Sequence, residues 1–307
     1  MEAIWQWGLA LIHTIQQVHG PVLNTIFKAI TFMGEEEFFF VLFPLLFWCV
    51  DFALGVRLTA TFLISIYVNF WLKDLFAHPR PFQLDPTVKL LDIRGYGLPS
   101  GHAESAVVVW GVIAAWFNKA WSWVIAISLM ILIGFSRVYL GVHFPTDVLG
   151  GWAIGGVFLL VYLTLAPKIE AWLKRSSLTV QLVLAAAIPL LLMLFHHTNY
   201  RTSPMAVLIG IGTGTMLSRR IARFNAAGPL WQRGARLVIG AMALFFLHFG
   251  LRQIFPAEGE HFYLIMRFVR YTLIGLWMSL GAPLLFLRMR LASSGNNNGG
   301  DSLPEEA

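Results

Sequence analysis

The chain has 307 residues, of which 57% are apolar and 12% charged, with a mean hydropathy of +0.69 and a net charge of +6. Soluble domains carry about 25% charged residues, so a share this low, spread over several apolar runs, excludes an ordinary water-soluble domain and indicates an integral membrane protein. Much of the positive charge lies between apolar runs, as at Arg219, Arg220 and Arg223, which reads as loop charge that sets orientation and not as a nucleic-acid surface.

In chain order, residues 1–34 form an amphipathic segment. Gln6, His13, Gln16, Gln17, His19, Asn24 and Lys28 interrupt its apolar residues, and the pattern fits two interfacial helices broken near Gly20-Pro21, the favoured reading, or one poor span. No cationic stretch precedes an apolar one at the start, so no signal peptide is read. Apolar runs then follow at 36–50, 56–76, 102–118, 122–140, 146–166, 178–196, 204–218, 236–254 and 268–288. Most approach the roughly 20 residues needed to cross the hydrocarbon layer, and lipid forces such runs to be helical because it offers the backbone no hydrogen-bonding partner. The expected fold is an all-α polytopic bundle with about nine transmembrane helices plus the N-terminal interfacial helices. The expected divisions are the N-terminal segment 1–34, a core 35–177 that carries the motifs below, an additional C-terminal bundle 178–291 and a low-complexity, disordered tail 292–307. Cys49 is the single cysteine; it excludes an intrachain disulfide, and its apolar run predicts a buried, inert thiol.

Three segments of the core carry chemistry. In Lys73-Asp-Leu-Phe-Ala-His-Pro-Arg80-Pro81, a lysine ends an apolar run and an arginine sits between two prolines that stiffen it. Alone, Lys73 reads equally well as a snorkelling lysine and Arg80 as an interfacial arginine. In Pro99-Ser100-Gly101-His102, Ser100 suits an N-cap, and Gly101 admits a ligand close to helix N–H groups that favour an anion. Alone, it is an ordinary capped helix, and Glu104 in the first turn fits the helix dipole better than catalysis. In Ser136-Arg137-Val-Tyr-Leu-Gly-Val-His143-Phe-Pro-Thr-Asp147, an arginine ends a span, where charge is costly. Asp147 follows His143 by four residues, in the first turn of a helix opened by Pro145, where it can fix the imidazole tautomer. The simpler alternatives are dipole compensation by Asp147 and a hydrogen-bonded interfacial histidine.

With nine spans, Arg57, Lys119, Lys168, Lys174, Arg175 and the cluster at 219–223 fall on one face, which the positive-inside rule assigns to the cytoplasm. All three motif segments then meet at the external face. Other features read blandly: Glu35-Glu36-Glu37 as a solvated helix start, His196-His197 as a helix cap, Gly210-Ile-Gly-Thr-Gly as close helix packing, and Arg267 and Arg270 as snorkelling arginines.

The pattern K-x6-R-P, P-S-G-H and S-R-x5-H-x3-D resembles the signature of the type-2 phosphatidic acid phosphatase superfamily over residues 35 to 166, most of all its membrane lipid phosphatases, including the sphingosine phosphate phosphatases. In the latter the second motif often reads P-S-T-H, where this chain has P-S-G-H, and the family's usual span number is about six, so the spans after residue 177 are additional. The resemblance implies that His143 is a nucleophile forming a phosphohistidine, that Asp147 orients it and that His102 protonates the leaving alkoxide. Lys73, Arg80, Ser100, Gly101 and Arg137 would bind the phosphoryl oxygens. Because three cations supply the charge, no metal and no cofactor are expected. The implied partners are a lipid phosphate or diphosphate and the bilayer, with no nucleic acid. The compact chain, which lacks a recognisable sorting signal, points to a bacterial inner membrane with an extracytoplasmic site. A lipid phosphotransferase and a lipid-binding transporter or scaffold are the alternatives. The soluble vanadium-dependent haloperoxidases share the motif pattern, but the spans argue against them.

Overall fold

The computed structural model describes residues 2–195 and 202–294. The expected cap at His196-His197 and most of the expected disordered tail therefore lie outside the described residues. Among the described residues the chain is all-helical, with one isolated bridge between Phe224 and Ser294. It divides into two compact units: residues 1–42 with 58–176, and residues 43–57 with 177–307.

The first unit opens with α1 (Glu2–Gln16) and α2 (Pro21–Phe32), separated where Pro21 takes the first helical position, as the Gly20-Pro21 pair predicts. Some of the polar residues that interrupt this segment make tertiary hydrogen bonds. Gln16 is buried and donates through Nε2 to the carbonyls of Val88 (2.9 Å) and Tyr139 (2.8 Å), while Asn24 accepts from the Tyr139 hydroxyl at 2.8 Å. Leu9 and Ile12 of α1 pack against Val88, Ala103, Phe144 and Val148, the apolar residues around the second and third motifs.

Next come α3 (Glu36–Leu45) with a π-helical turn (Leu46–Val50), α4 (Phe52–Phe76), the short α5 (Pro81–Leu84), α6 (Gly101–Phe117), α7 (Ala120–Tyr139) and α8 (Pro145–Arg175). Helices α6, α7 and α8 pack on one another. Ser100 caps α6, accepting from the Ala103 N–H at 3.5 Å, and Asn118 ends it in the left-handed conformation. Pro145 opens α8 at its first position, and Asp147 lies in its first turn. Lys73 and Arg137 stand at the C-terminal ends of α4 and α7, and Ser100 and Asp147 at the N-terminal ends of α6 and α8. The connections between them bring these four ends together.

One glycine in this region has a backbone reason. Gly141 has φ +68°, and a Cβ there would stand 1.9 Å from the Val88 carbonyl oxygen. Gly141→Ala is expected to destabilise the fold by at least about 2 kcal/mol. A detergent-solubilised variant followed by tryptophan fluorescence should melt well below wild type; an unchanged midpoint would refute the steric argument.

The second unit contains α9 (Leu178–Phe195), α10 (Thr202–Ile221), α11 (Leu230–Phe245), a second π-helical turn (Phe246–Gly250), α12 (Leu251–Ile254), α13 (Tyr263–Leu276), a third π-helical turn (Trp277–Gly281) and α14 (Ala282–Arg288). The glycine-rich run in α10 is a helix crossing, as expected: a Cβ on Gly210 would meet the Thr272 carbonyl oxygen at 2.2 Å, and one on Gly275 the Val207 carbonyl oxygen at 2.3 Å. Cys49 is buried, its thiol donating to the Arg233 carbonyl. Arg236 is fully buried, with its guanidinium donating to the carbonyls of Asn225, Ala226 and Ala227. Arg267 likewise donates to Ser203 and Tyr263, and Arg270 is buried. A short guanidinium stem that finds carbonyls or hydroxyls within reach has no need to snorkel.

Nine spans are expected, and among the described residues five segments are long and apolar enough to cross a bilayer: Phe52–Leu84, Ala120–Tyr139, Pro145–Arg175, Leu230–Ile254 and Tyr263–Arg288. Gly101–Phe117 and Leu178–Leu194 are apolar but shorter. Helix α3 has ten residues before its π-helical turn, too few to cross ~30 Å at about 1.5 Å per residue. The long α8 is mostly exposed and apolar, with Leu149, Val157 and Leu160 each about 60% accessible, as suits a lipid-facing surface.

Candidate active site

The loop between α7 and α8 presents His143, which is 1% exposed. Its Nδ1 lies 3.3 Å from Asp147 Oδ2, the same oxygen that accepts the Phe144 N–H at 3.0 Å. Its Nε2 lies 3.0 Å from Arg80 Nη1. A guanidinium nitrogen only donates, so Nε2 must carry the lone pair and Nδ1 the proton, directed at the carboxylate. Burial, followed by the charges of Arg80, Lys73 and Arg137, holds the His143 pKa well below its ordinary value, so the imidazole is neutral at neutral pH. The histidine thus offers an unprotonated nitrogen to a positively charged pocket, which is the form a nucleophile requires.

Arg80 is buried and held on several sides. Its Nη1 also donates to the Val142 carbonyl (2.8 Å), its Nε to Gly95 (2.8 Å) and its Nη2 to Arg94 (3.2 Å). Lys73 donates to the carbonyls of Tyr96 (2.9 Å) and Gly97 (3.1 Å). The segment Arg94-Gly-Tyr-Gly97 therefore lies against both cations through its carbonyl oxygens. Arg137 is fully buried; its Nη1 donates to Thr31 Oγ1 and lies 4.0 Å from Glu35 Oε1, while its Nε and Nη2 have no partner. A buried guanidinium with two unused donors suits an anion acceptor.

The structure brings Lys73, Arg80, Arg137, His102 and Asp147 into the surroundings of His143, and Ser100 and Gly101 open the helix on which His102 sits. Asp147 accepts no contact from Ser100's side chain, but its carbonyl accepts the Ser100 N–H at 2.9 Å, joining the second and third motifs through the backbone.

Several residues escape the sequence reading. Glu35 was expected to be a solvated helix start, but its Oε1 lies 3.1 Å from His102 Nε2. That hydrogen bond holds the Glu35 pKa below the ordinary carboxylate value. Glu104, expected as a dipole-favoured acid of the first turn, is there and is fully buried; Ser65 and Asn69 of α4 donate to its two oxygens. Asn69 also donates to the Pro99 carbonyl at 3.4 Å, so this cluster ties α4 to the second motif. His78 lies within the first motif, with Nδ1 3.3 Å from Asp147 Oδ1, and its Nε2 accepts from Trp5 Nε1 at 2.7 Å. Its position two residues before Arg80 was the only sequence signal for it. Trp5 and Glu35 are distant in sequence from the motifs they serve and have none.

Known proteins resemble this chain over most of its length. The profile of the PAP2 superfamily matches residues 54–171. A second profile, the transmembrane extension of PAP2 superfamily phosphatases, matches residues 202–294, a part of the chain in which the motif reading found no resemblance. Lipid phosphate phosphatase delta of Arabidopsis thaliana is 29% identical over 231 residues, covering 67% of this chain and 55% of that protein. Phosphatidylglycerophosphatase B of Bacillus subtilis is 31% identical over 171 residues, covering 52% of this chain and 82% of that protein. A crystal structure of a transmembrane PAP2 type phosphatidylglycerolphosphate phosphatase from Bacillus subtilis aligns with a TM-score of 0.49 at 28% identity, covering 55% of this chain and 89% of that one. The chain spans about half the length of the first curated relatives it matches, 55% and 50%. With both profiles matched and most of the Bacillus subtilis phosphatase covered, this chain is an integral membrane protein of the PAP2 superfamily.

Proposed function

We propose that the chain is a metal-independent membrane lipid phosphatase that hydrolyses a lipid phosphomonoester or diphosphate through a phosphohistidine. The observation that carries this reading is the tautomer of His143: its Nδ1–H donates to Asp147, and its Nε2, which faces Arg80, keeps the lone pair within the cationic pocket. Nε2 attacks phosphorus as the bond to the lipid oxygen breaks, and His102 supplies a proton to that oxygen. Water then adds to phosphorus and gives a proton to the His102 left unprotonated by the first step, the P–N bond breaks, and phosphate leaves with His143 neutral and His102 protonated again. Arg80, Lys73 and Arg137, with the Ser100 hydroxyl and the Gly101 N–H, stabilise the three equatorial oxygens while charge redistributes.

The substrate is an amphiphile whose phosphate reaches the interface while its tail stays in lipid. Phosphatidic acid, a sphingoid base phosphate, phosphatidylglycerol phosphate and a polyprenyl diphosphate share that chemistry. The asymmetry of loop cations supports a site on the extracytoplasmic face, in a bacterial inner membrane.

Purified protein in detergent, given a panel of lipid phosphates with EDTA present, is expected to release inorganic phosphate. Release from no lipid by folded protein, or release abolished by EDTA and restored by a divalent cation, would overturn the reading. Transfer of the phosphoryl group to an added lipid alcohol, with no free phosphate, would make it a transferase.

A further inference from the structure

The turn between α2 and α3 delivers an acid to the site. The Gly34 N–H bonds the Thr31 carbonyl at 2.9 Å and the Glu35 N–H bonds the Phe32 carbonyl at 3.0 Å, so the turn is fixed to the end of α2. It also lies against His102: a Cβ on Gly34 would stand 2.5 Å from the imidazole Cδ2. From this turn Glu35 reaches His102 Nε2, and four residues earlier Thr31 holds Arg137. Arg137, 4.0 Å from the same carboxylate oxygen, stands on the other side of Glu35.

We propose that Glu35 is the positioning residue of the proton donor: it fixes the His102 ring through Nε2, favours its imidazolium form and leaves Nδ1 to deliver the proton. This rests on the phosphatase reading above. The two histidines then each have a carboxylate with a different task. Asp147 accepts the hydrogen bond of the Nδ1–H of a neutral His143, whose other nitrogen attacks. Glu35 accepts the hydrogen bond of the Nε2–H of His102, whose Nδ1–H protonates the lipid oxygen as the P–O bond breaks. The other charged or titratable groups facing His102 are Arg137 from α7, Lys73 from α4 and His143 from the α7–α8 loop. Burial and the two cations oppose a charged imidazole, and the Glu35 carboxylate counters them, so losing it lowers the protonated fraction of His102 further.

The test compares wild type with Glu35→Gln and Glu35→Asp on two probes: a short-chain phosphatidic acid in detergent micelles and 4-nitrophenyl phosphate. An alkoxide leaving group needs a proton in the transition state, and nitrophenolate hardly does. Glu35→Gln is expected to lower kcat on the phosphatidic acid by about tenfold or more. Its basic limb of activity should move to lower pH by about one unit. The loss on 4-nitrophenyl phosphate should be much smaller, and Glu35→Asp should recover part of the difference. An unchanged basic limb, or equal losses on both probes in a folded variant, would overturn the assignment, because a merely structural role would not distinguish leaving groups. If Glu35→Gln does not fold, the same comparison in Glu35→Asp decides. Absence of phosphate release by wild type itself would instead remove the phosphatase reading, and this inference with it.

Discussion

His143→Ala is expected to reduce phosphate release by about 10⁴-fold or more while leaving the fold intact. The side chain is 1% exposed, so the substitution opens a small cavity, but its hydrogen bonds go to Arg80 and Asp147, which have other partners. The variant should therefore melt close to wild type, and lost activity cannot then be assigned to unfolding. With wild-type enzyme, quenching in acid-avoiding denaturant after mixing with labelled lipid phosphate should trap label on the protein, and His143→Ala should trap none. A variant that retained wild-type turnover would remove His143 from the mechanism. The same histidine is expected to set the acidic limit of activity. Its pKa is depressed by burial and by the cations around it, so the neutral, attacking form persists as pH falls below the ordinary histidine value. The acidic limb of kcat/KM for the free enzyme is accordingly expected well below pH 6.5, and an acidic limb at or above that value would show that the pocket charges do not act on His143 as described.

Arg137→Lys is expected to cost about 10²–10³-fold in kcat/KM, although the charge is kept. Arg137 ends α7 fully buried, anchored by Nη1 to Thr31, with Nε and Nη2 unpartnered. Two donors on one planar group can meet two phosphoryl oxygens at once, and an ammonium on a shorter reach cannot hold Thr31 and the phosphate together. The variant should also lose affinity for vanadate, a trigonal-bipyramidal mimic of the phosphoryl group in flight, more than for inorganic phosphate. Retention of kcat/KM within about twofold would show that the fork geometry is not used.

The helical, membrane-embedded character of this protein was legible because lipid leaves the backbone no alternative to helix, and an apolar run carries that constraint in its composition. The three motifs were legible for a related reason. Each lies within a few residues of a helix end, so spacing alone implies that Ser100 caps α6, that Pro145 opens α8 and that Asp147 faces back toward His143. Helix number was less legible: composition cannot tell a full crossing from α3, whose ten residues pass into a π-helical turn, or from the short apolar α6.

What tertiary structure alone decided was the company each motif residue keeps. Glu35, Thr31 and Trp5 come from an N-terminal segment that looked merely amphipathic, and their partners lie 67, 106 and 73 residues away. Such contacts leave no periodicity, and a charged triplet at a helix start has the same sequence whether water or an imidazole receives it. Likewise Glu104 occupies the dipole-favoured first turn that its position predicts, yet burial against Ser65 and Asn69 gives it a structural task. Sequence determined which chemical groups stand at the helix ends, because those are local effects. Only packing between distant segments fixed the His143 tautomer, joined Glu35 to His102 and left two donors of Arg137 unpartnered, because each depends on atoms that the chain brings together only when folded.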